Sequence, residues 1–192
     1  MPKLIHTSDE DLKAIIAFLR SDHDMVKPKA VASKPSEVAF FTKFLCLVDP
    51  SWKPFPYPAK EVAAPDTNNL VVFGEYLVNT YECFSCHSNN FATNNFLEPR
   101  LSKGYMGGGN LVYDLQGRKM LTKNITPDKE TGIGRWTEAQ FAEAMRTGKL
   151  PNGNSFKYPM LPYALLSEHE MKAIYAFIQT IPPIQNKVPD NQ

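Results

Sequence analysis

Apolar residues recur at helical spacing in several stretches of the chain. Towards the C-terminus Met171, Ile174, Tyr175 and Ile178 fall at i, i+3, i+4 and i+7 behind a Ser167/Glu170 capping box, and Pro182 and Pro183 close the segment. At the other end Ser8 and Asp11 precede Leu12, Ile15, Ile16 and Leu19 at the same spacing. A third helix is expected from Asn68 to Thr80, with Gly74 set between Phe73 and Leu77 as a place of close helix packing. A fourth starts at the Thr137/Gln140 cap, carries Phe141, Ala144 and Met145 on one face, and stops at Gly148. Val112, Tyr113, Met120 and Leu121 flank Gly117 as a small hairpin. The pattern predicts a mostly α fold with one β-hairpin insert.

The first and last of these helices superimpose when residues 159 positions apart are aligned. Met1, Ser8, Lys13, Ala14, Ile15, Ala17 and Phe18 are then identical to Met160, Ser167, Lys172, Ala173, Ile174, Ala176 and Phe177, seven of 21 positions. This reads as an internal repeat, with similarity of composition between two capped amphipathic helices as the plainer alternative. The repeat divides the chain into residues 1–27, the end of one unit; 28–65, a linker; 66–185, a complete unit; and 186–192, a tail.

Seven of the 16 prolines, from Pro28 to Pro65, mark the linker. Its run from Pro50 to Pro58, through Trp52, Phe55 and Tyr57, is expected to be extended, because proline fixes φ and removes backbone donors. Glu37 to Val48, rich in phenylalanine, is expected to form a short helix that docks the linker onto a domain. Cys46 within it reads as a buried small hydrophobe.

Twenty-one basic against 20 acidic residues leave a net charge of +1, so no whole-chain field gathers nucleic acid. No apolar run approaches the roughly 20 residues of a membrane span. The first 25 residues lack the basic start and unbroken apolar core of an export signal.

The chemistry sits in Cys83-Phe84-Ser85-Cys86-His87, the pattern of covalent c-type haem attachment. Two thiols three positions apart on one turn each reach a vinyl group, and the next imidazole falls under the iron. Cys83 and Cys86 are the expected thioethers and His87 the expected iron ligand. A redox dithiol wants a strand before the motif, where a helix is expected, and a zinc site wants a second ligand pair, which is missing. Candidates for a second axial ligand are Met106, Met120, Met145, Met160, Met171 and His169. Met160 is preferred, because Pro159 and Pro162 hold its segment extended and present the thioether sideways. His/Met ligation raises the reduction potential and leaves no open iron site.

These residues resemble a class I type cytochrome c domain over about residues 66 to 185. Asn124-Ile125-Thr126-Pro127-Asp128, Thr131-Gly132-Ile133-Gly134, Trp136 and Phe141 resemble, more narrowly, the cytochrome c subunits of bacterial membrane-bound alcohol and sugar-acid dehydrogenases, which join two or three such domains through linkers. The resemblance implies one haem c in this chain, held by Cys83, Cys86, His87 and Met160. It also implies that Met1 to about Phe18 is the ligand strand and last helix of a preceding haem domain, with Met1 where an axial methionine belongs. The helix holding Gly74 is then expected to cross the last helix, against Tyr175 and Phe177, and Phe141, Ala144 and Met145 to wall the haem. Asn124 and Trp136 are either propionate donors or a turn asparagine and a core tryptophan. Residues Asn90 to Lys123, including the hairpin, form an insert that is long for a minimal domain of this kind, and its Gly107-Gly108-Gly109 reads as a tight turn, with close approach to the haem edge or a partner as alternatives.

The expected role is electron relay and not catalysis, in the periplasm, with membrane association through an upstream part or partner subunits. Expected partners are a dehydrogenase subunit and quinol-linked or terminal oxidase components. The rival role is a haem peroxidase or gas sensor with a displaceable distal ligand.

Overall fold

A computed structural model describes residues 4–29, 34–49 and 60–189. The expectations placed on Met1 and on the Pro50 to Pro58 run lie outside the described residues. The chain divides into two compact units, Ser8–Ala64, and Pro65–Gln192 together with Met1–Thr7.

The larger unit is built on two crossing helices, α3 (Leu70–Thr80) and α6 (Glu168–Ile178). Each starts where the sequence signals it: Asn69 accepts the Val72 N–H, and Ser167 and Glu170 form a reciprocal capping box. Gly74 is the crossing point. A Cβ there would lie 2.0 Å from the Ala173 carbonyl oxygen and 2.7 Å from Phe177 Cβ, so only glycine lets the two backbones meet. Around it Val78, Met171, Ala173 and Phe177 are completely buried. Arg100 lies over the Phe177 ring at 5.0 Å and pairs with Glu75 across the seam. Tyr175 does not join this crossing as expected. Two residues from Phe177 it points to the opposite side of α6, where its hydroxyl donates to the Trp136 carbonyl at 2.8 Å and its ring meets Phe141.

Three smaller elements complete the unit. The short α4 (Cys83–His87) follows α3 after Glu82, a non-glycine residue in the left-handed region at φ 52° that turns the chain between the two helices. The α5 helix (Glu138–Thr147) has the predicted Thr137/Gln140 capping box, buries Phe141, Ala144 and Met145, and ends at Gly148 in the left-handed conformation. The hairpin pairs β1 (Leu111–Tyr113) with β2 (Lys119–Leu121), antiparallel, with Val112 opposite Met120 and both buried. The segment Leu4–His6 belongs to this unit, with His6 Nε2 2.7 Å from the Phe96 carbonyl.

The smaller unit holds α1 (Asp9–Leu19) and α2 (Phe40–Val48). Ser8 caps α1 by accepting the Asp11 N–H, and Asp9 ties to Val62 through both its backbone N–H and its carboxylate. The expected helix in the linker forms, but its aromatics are not buried: Phe40 is 82% and Leu47 81% exposed, and α2 has no buried residue. Cys46, expected inside, is exposed for the same reason. Among the described residues, no helix is long and apolar enough to cross a membrane.

Gly74→Ala forces a methyl group into the Ala173 carbonyl and is expected to cost about 2–4 kcal/mol. Gly117→Ala at the open hairpin tip, where nothing lies within 4 Å but φ is +76°, is expected to cost about 1 kcal/mol. Denaturant unfolding of both variants measures the difference.

Candidate functional site

The Cys83-x-x-Cys86-His87 motif occupies one helical turn, so both sulfurs and the imidazole project from a single short element. Neither cysteine is in a disulfide. Burial pushes the Cys83 thiol up to about 12, and the Cys86 thiol also rises through burial. A redox-active dithiol needs at least one thiolate stabilised near neutral pH, and this site opposes that.

His87 carries the clearest signature. Its Nδ1 lies 2.8 Å from the Lys123 carbonyl oxygen, a group that only accepts. Nδ1 therefore carries the proton, and the lone pair on Nε2 is left for a metal. Burial lowers the His87 pKa and favours the neutral ring that ligation requires, while the Lys123 bond opposes the shift.

The insert expected to be only a tight turn holds α4 in place. The Gly108 N–H donates to the His87 carbonyl at 2.6 Å, and Asn94 and Asn110 both donate side-chain N–H groups to the Ser85 carbonyl. These bonds satisfy carbonyls that a five-residue helix leaves open. Gly108 also passes so close to the next strand of chain that a Cβ would lie 2.5 Å from Asn124 N and from the Lys123 carbonyl carbon. The glycine thus serves close approach of backbone to the segment that orients His87.

Asn124 and Trp136 both help to build the loop beyond Lys123. Asn124 is 3% exposed; its amide donates to Thr131 Oγ1 and the Ile184 carbonyl, and its Oδ1 accepts from Thr126 N and Oγ1. Both amide hydrogens are thereby engaged inside the protein, which is the turn-asparagine alternative. Asp128 accepts from Thr131 and Glu130, and these bonds hold its carboxyl below the usual range. Trp136 packs half-buried against the core and its carbonyl receives Tyr175. Residues past 185 close over the same loop: Asn186 donates to the Gly107 carbonyl and Lys123 Nζ to that of Pro189.

The candidate axial ligands separate by environment. Met106 and Met171 are wholly buried, and Met120 and Met145 nearly so. His169 Nε2 is held on the Thr67 carbonyl at 2.8 Å. Met160 is half-buried and packs on the core in the segment between α5 and α6. Tyr163 donates its backbone N–H to the Met145 carbonyl, and burial raises its phenol to about 12, with the nearby Cys83 and Cys86 thiols adding to the shift. The Tyr163 ring, three residues past Met160, meets the Tyr81 ring at 5.5 Å just ahead of the cysteine turn. The donor set of two neutral thiols, one Nε2 lone pair and a thioether fits a covalently attached haem. Sequence reasoning named these residues but missed Lys123, Gly108, Asn94 and Asn110, which act through backbone groups or on them.

Asn124→Ala removes four hydrogen bonds of a buried network and is expected to lower stability by about 2–3 kcal/mol. The haem reduction potential of the matured variant is expected to match that of the parent. A shifted potential with unchanged stability would instead assign Asn124 to a propionate.

No family model matches the chain. It is 35% identical over 119 residues to the gluconate 2-dehydrogenase cytochrome c subunit of Pantoea cypripedii, which covers 60% of this chain and 24% of that protein. It is 33% identical over 127 residues to the cytochrome c subunit of the quinone alcohol dehydrogenase of Gluconobacter oxydans, covering 63% of this chain and 24% of that subunit. It is 35% identical over 104 residues to a diheme cytochrome c-type protein of Cereibacter sphaeroides, covering 53% and 32%. The chain spans between 8% and 32% of the length of the curated relatives it matches. Over more than half of its length, the chain is similar to the cytochrome c subunits of bacterial dehydrogenases.

Proposed function

We propose that the larger unit binds one haem c covalently through Cys83 and Cys86, with His87 and Met160 as axial ligands, and relays single electrons. The observation that carries this reading is the His87 Nδ1 to Lys123 carbonyl bond on a Cys-x-x-Cys-His turn. That bond orients an imidazole for ligation, and it lies beside two thiols held neutral by burial. Bound there, the haem supplies a one-electron Fe(III)/Fe(II) couple.

The chain's own part is to hold and shield. Cys83 and Cys86 fix the cofactor on α4, and the insert fixes α4. Phe141 and Met145 on α5 and Tyr163 exclude water from its surroundings, and Met160 completes the ligand set. A filled sixth position suits electron exchange and opposes oxygen or peroxide chemistry. Trp136 stands as a propionate donor through its indole N–H.

The relatives' names support a place in a dehydrogenase complex, where another subunit supplies the electrons. Quinol-linked or terminal oxidase components are the proposed acceptors. The proposed compartment is the periplasm, with attachment to the membrane through other parts of the protein or partner subunits.

Visible spectra of the matured chain with and without carbon monoxide test this reading. The reduced parent is expected to show a low-spin haem c spectrum that carbon monoxide leaves unchanged. Met160→Ala is expected to bind carbon monoxide at once, and His87→Ala to lose most of its haem. Rapid binding by the parent would favour the sensor or peroxidase role.

A further inference from the structure

The last described residues form an extended strap across the site. From Ile184 to Pro189 burial alternates, with Ile184, Asn186 and Val188 half-buried and Gln185, Lys187 and Pro189 exposed, which is the period of extended chain. The middle covered position carries an amide between two apolar residues. Asn186 Nδ2 donates to the Gly107 carbonyl at 2.9 Å and to the Gly108 carbonyl at 3.4 Å, and its backbone N–H donates to Thr131 Oγ1 at 2.9 Å. Beyond it, Lys123 Nζ donates to the Val188 carbonyl at 3.4 Å and to the Pro189 carbonyl at 2.7 Å.

The segments tied by this strap are the two that hold His87. The Gly108 N–H donates to the His87 carbonyl, and the Lys123 carbonyl accepts from Nδ1. Neither segment is firm by itself. The glycine run lacks side chains to restrain it, with φ +72° at Gly108 and +98° at Gly109. Lys123 leaves a hairpin of two three-residue strands, a unit that is marginal without further packing. Gly108 lies directly against the Lys123 peptide, since a Cβ on it would be 2.5 Å from the Lys123 carbonyl carbon. An amide fixed on the Gly107 and Gly108 carbonyls therefore holds the two backbones together at the point from which both His87 bonds start.

We propose that Asn186 is a positioning residue for His87: it clamps Gly108 against the Lys123 peptide and so fixes the strength of the Nδ1–H bond, and with it the reduction potential of the iron. This role rests on the reading of His87 as an axial ligand. A hydrogen bond from Nδ1 to a carbonyl makes the imidazole a stronger donor, which favours the ferric state and lowers the potential. A loosened clamp raises it. Asn124 is not part of the clamp: without its amide, Ile184 keeps its bond to Thr126 and Asn186 keeps both glycine carbonyls, so the potential of Asn124→Ala is still expected to hold.

The test compares the matured full chain with Asn186→Ala and with Asn186→Leu, which keeps the bulk and the charge but removes the donors; Gln185→Ala, on the exposed side of the strap, is the control. Both Asn186 variants are expected to shift the iron equilibrium about threefold or more towards the ferrous state, a rise of about 30 mV for one electron. Solvent exchange of the His87 Nδ1 proton in the reduced protein is expected to quicken about tenfold or more, with the low-spin spectrum retained. Gln185→Ala is expected to change neither. A lower unfolding midpoint with unchanged potential and unchanged proton exchange would overturn the proposal, since Asn186 would then be a structural tie alone. In the parent, the Gly108 amide and the Nδ1 proton are expected to exchange through one opening with the same denaturant dependence; independent exchange would overturn the proposal even if neither variant folds. A parent spectrum without low-spin haem c rejects the axial-ligand reading and this role with it, whereas a retained spectrum with unmoved potentials rejects only the role of Asn186.

Discussion

A single hydrogen bond, from His87 Nδ1 to the Lys123 carbonyl, sets the terms for the larger unit. A five-residue helix cannot orient an imidazole by itself, because its ring is free to rotate about χ1 and χ2. A carbonyl from elsewhere in the chain must arrive at the right place and stay there. Lys123 arrives because the hairpin returns the chain at Leu121, Gly108 lets two backbones touch, and Asn124 anchors the loop after it to Thr131 and Ile184. The insert is therefore the scaffold that orients the His87 imidazole. The same constraint explains why the C-terminal segment folds back, since Asn186 and the Pro189 carbonyl hold both sides of that loop.

The features legible in the sequence are those that local chemistry decides. Ser167/Glu170 and Thr137/Gln140 announce helices because capping uses residues three apart, and both boxes are present as read. The hairpin and the Gly74 crossing come from patterns of similar reach, and so do the cysteines and His87. The Lys123 carbonyl was not legible, because any residue supplies a carbonyl and only tertiary structure selects one. Gly108 looked like a turn glycine, since a positive φ and a close approach leave the same mark in a sequence. Tyr175 and Phe177 looked equivalent, but the rotation of about 200° between them on a helix puts one on α3 and the other on Trp136. The phenylalanines of α2 and Cys46 show a different failure: apolar composition predicted burial, but burial needs a partner surface, which composition does not name.

The two units also show how little the same helical sequence determines by itself. Ala14, Ile15 and Phe18 match Ala173, Ile174 and Phe177 residue for residue, yet one set is core and the other is surface. Intrinsic propensity and capping make both segments helical. Only α6 has Gly74 and its neighbours to complete it. For the proposed electron transfer the consequence is spatial: the cysteine turn follows α3 and the Met160 segment precedes α6, so the crossing pair carries both.

The most direct test of the account is a spectroelectrochemical titration of the matured chain. One haem held by His87 and Met160 predicts a single reversible one-electron transition, low-spin in both oxidation states and identical in the oxidative and reductive directions. A two-electron wave from the Cys83/Cys86 pair, or hysteresis from exchange of an axial ligand, would contradict it.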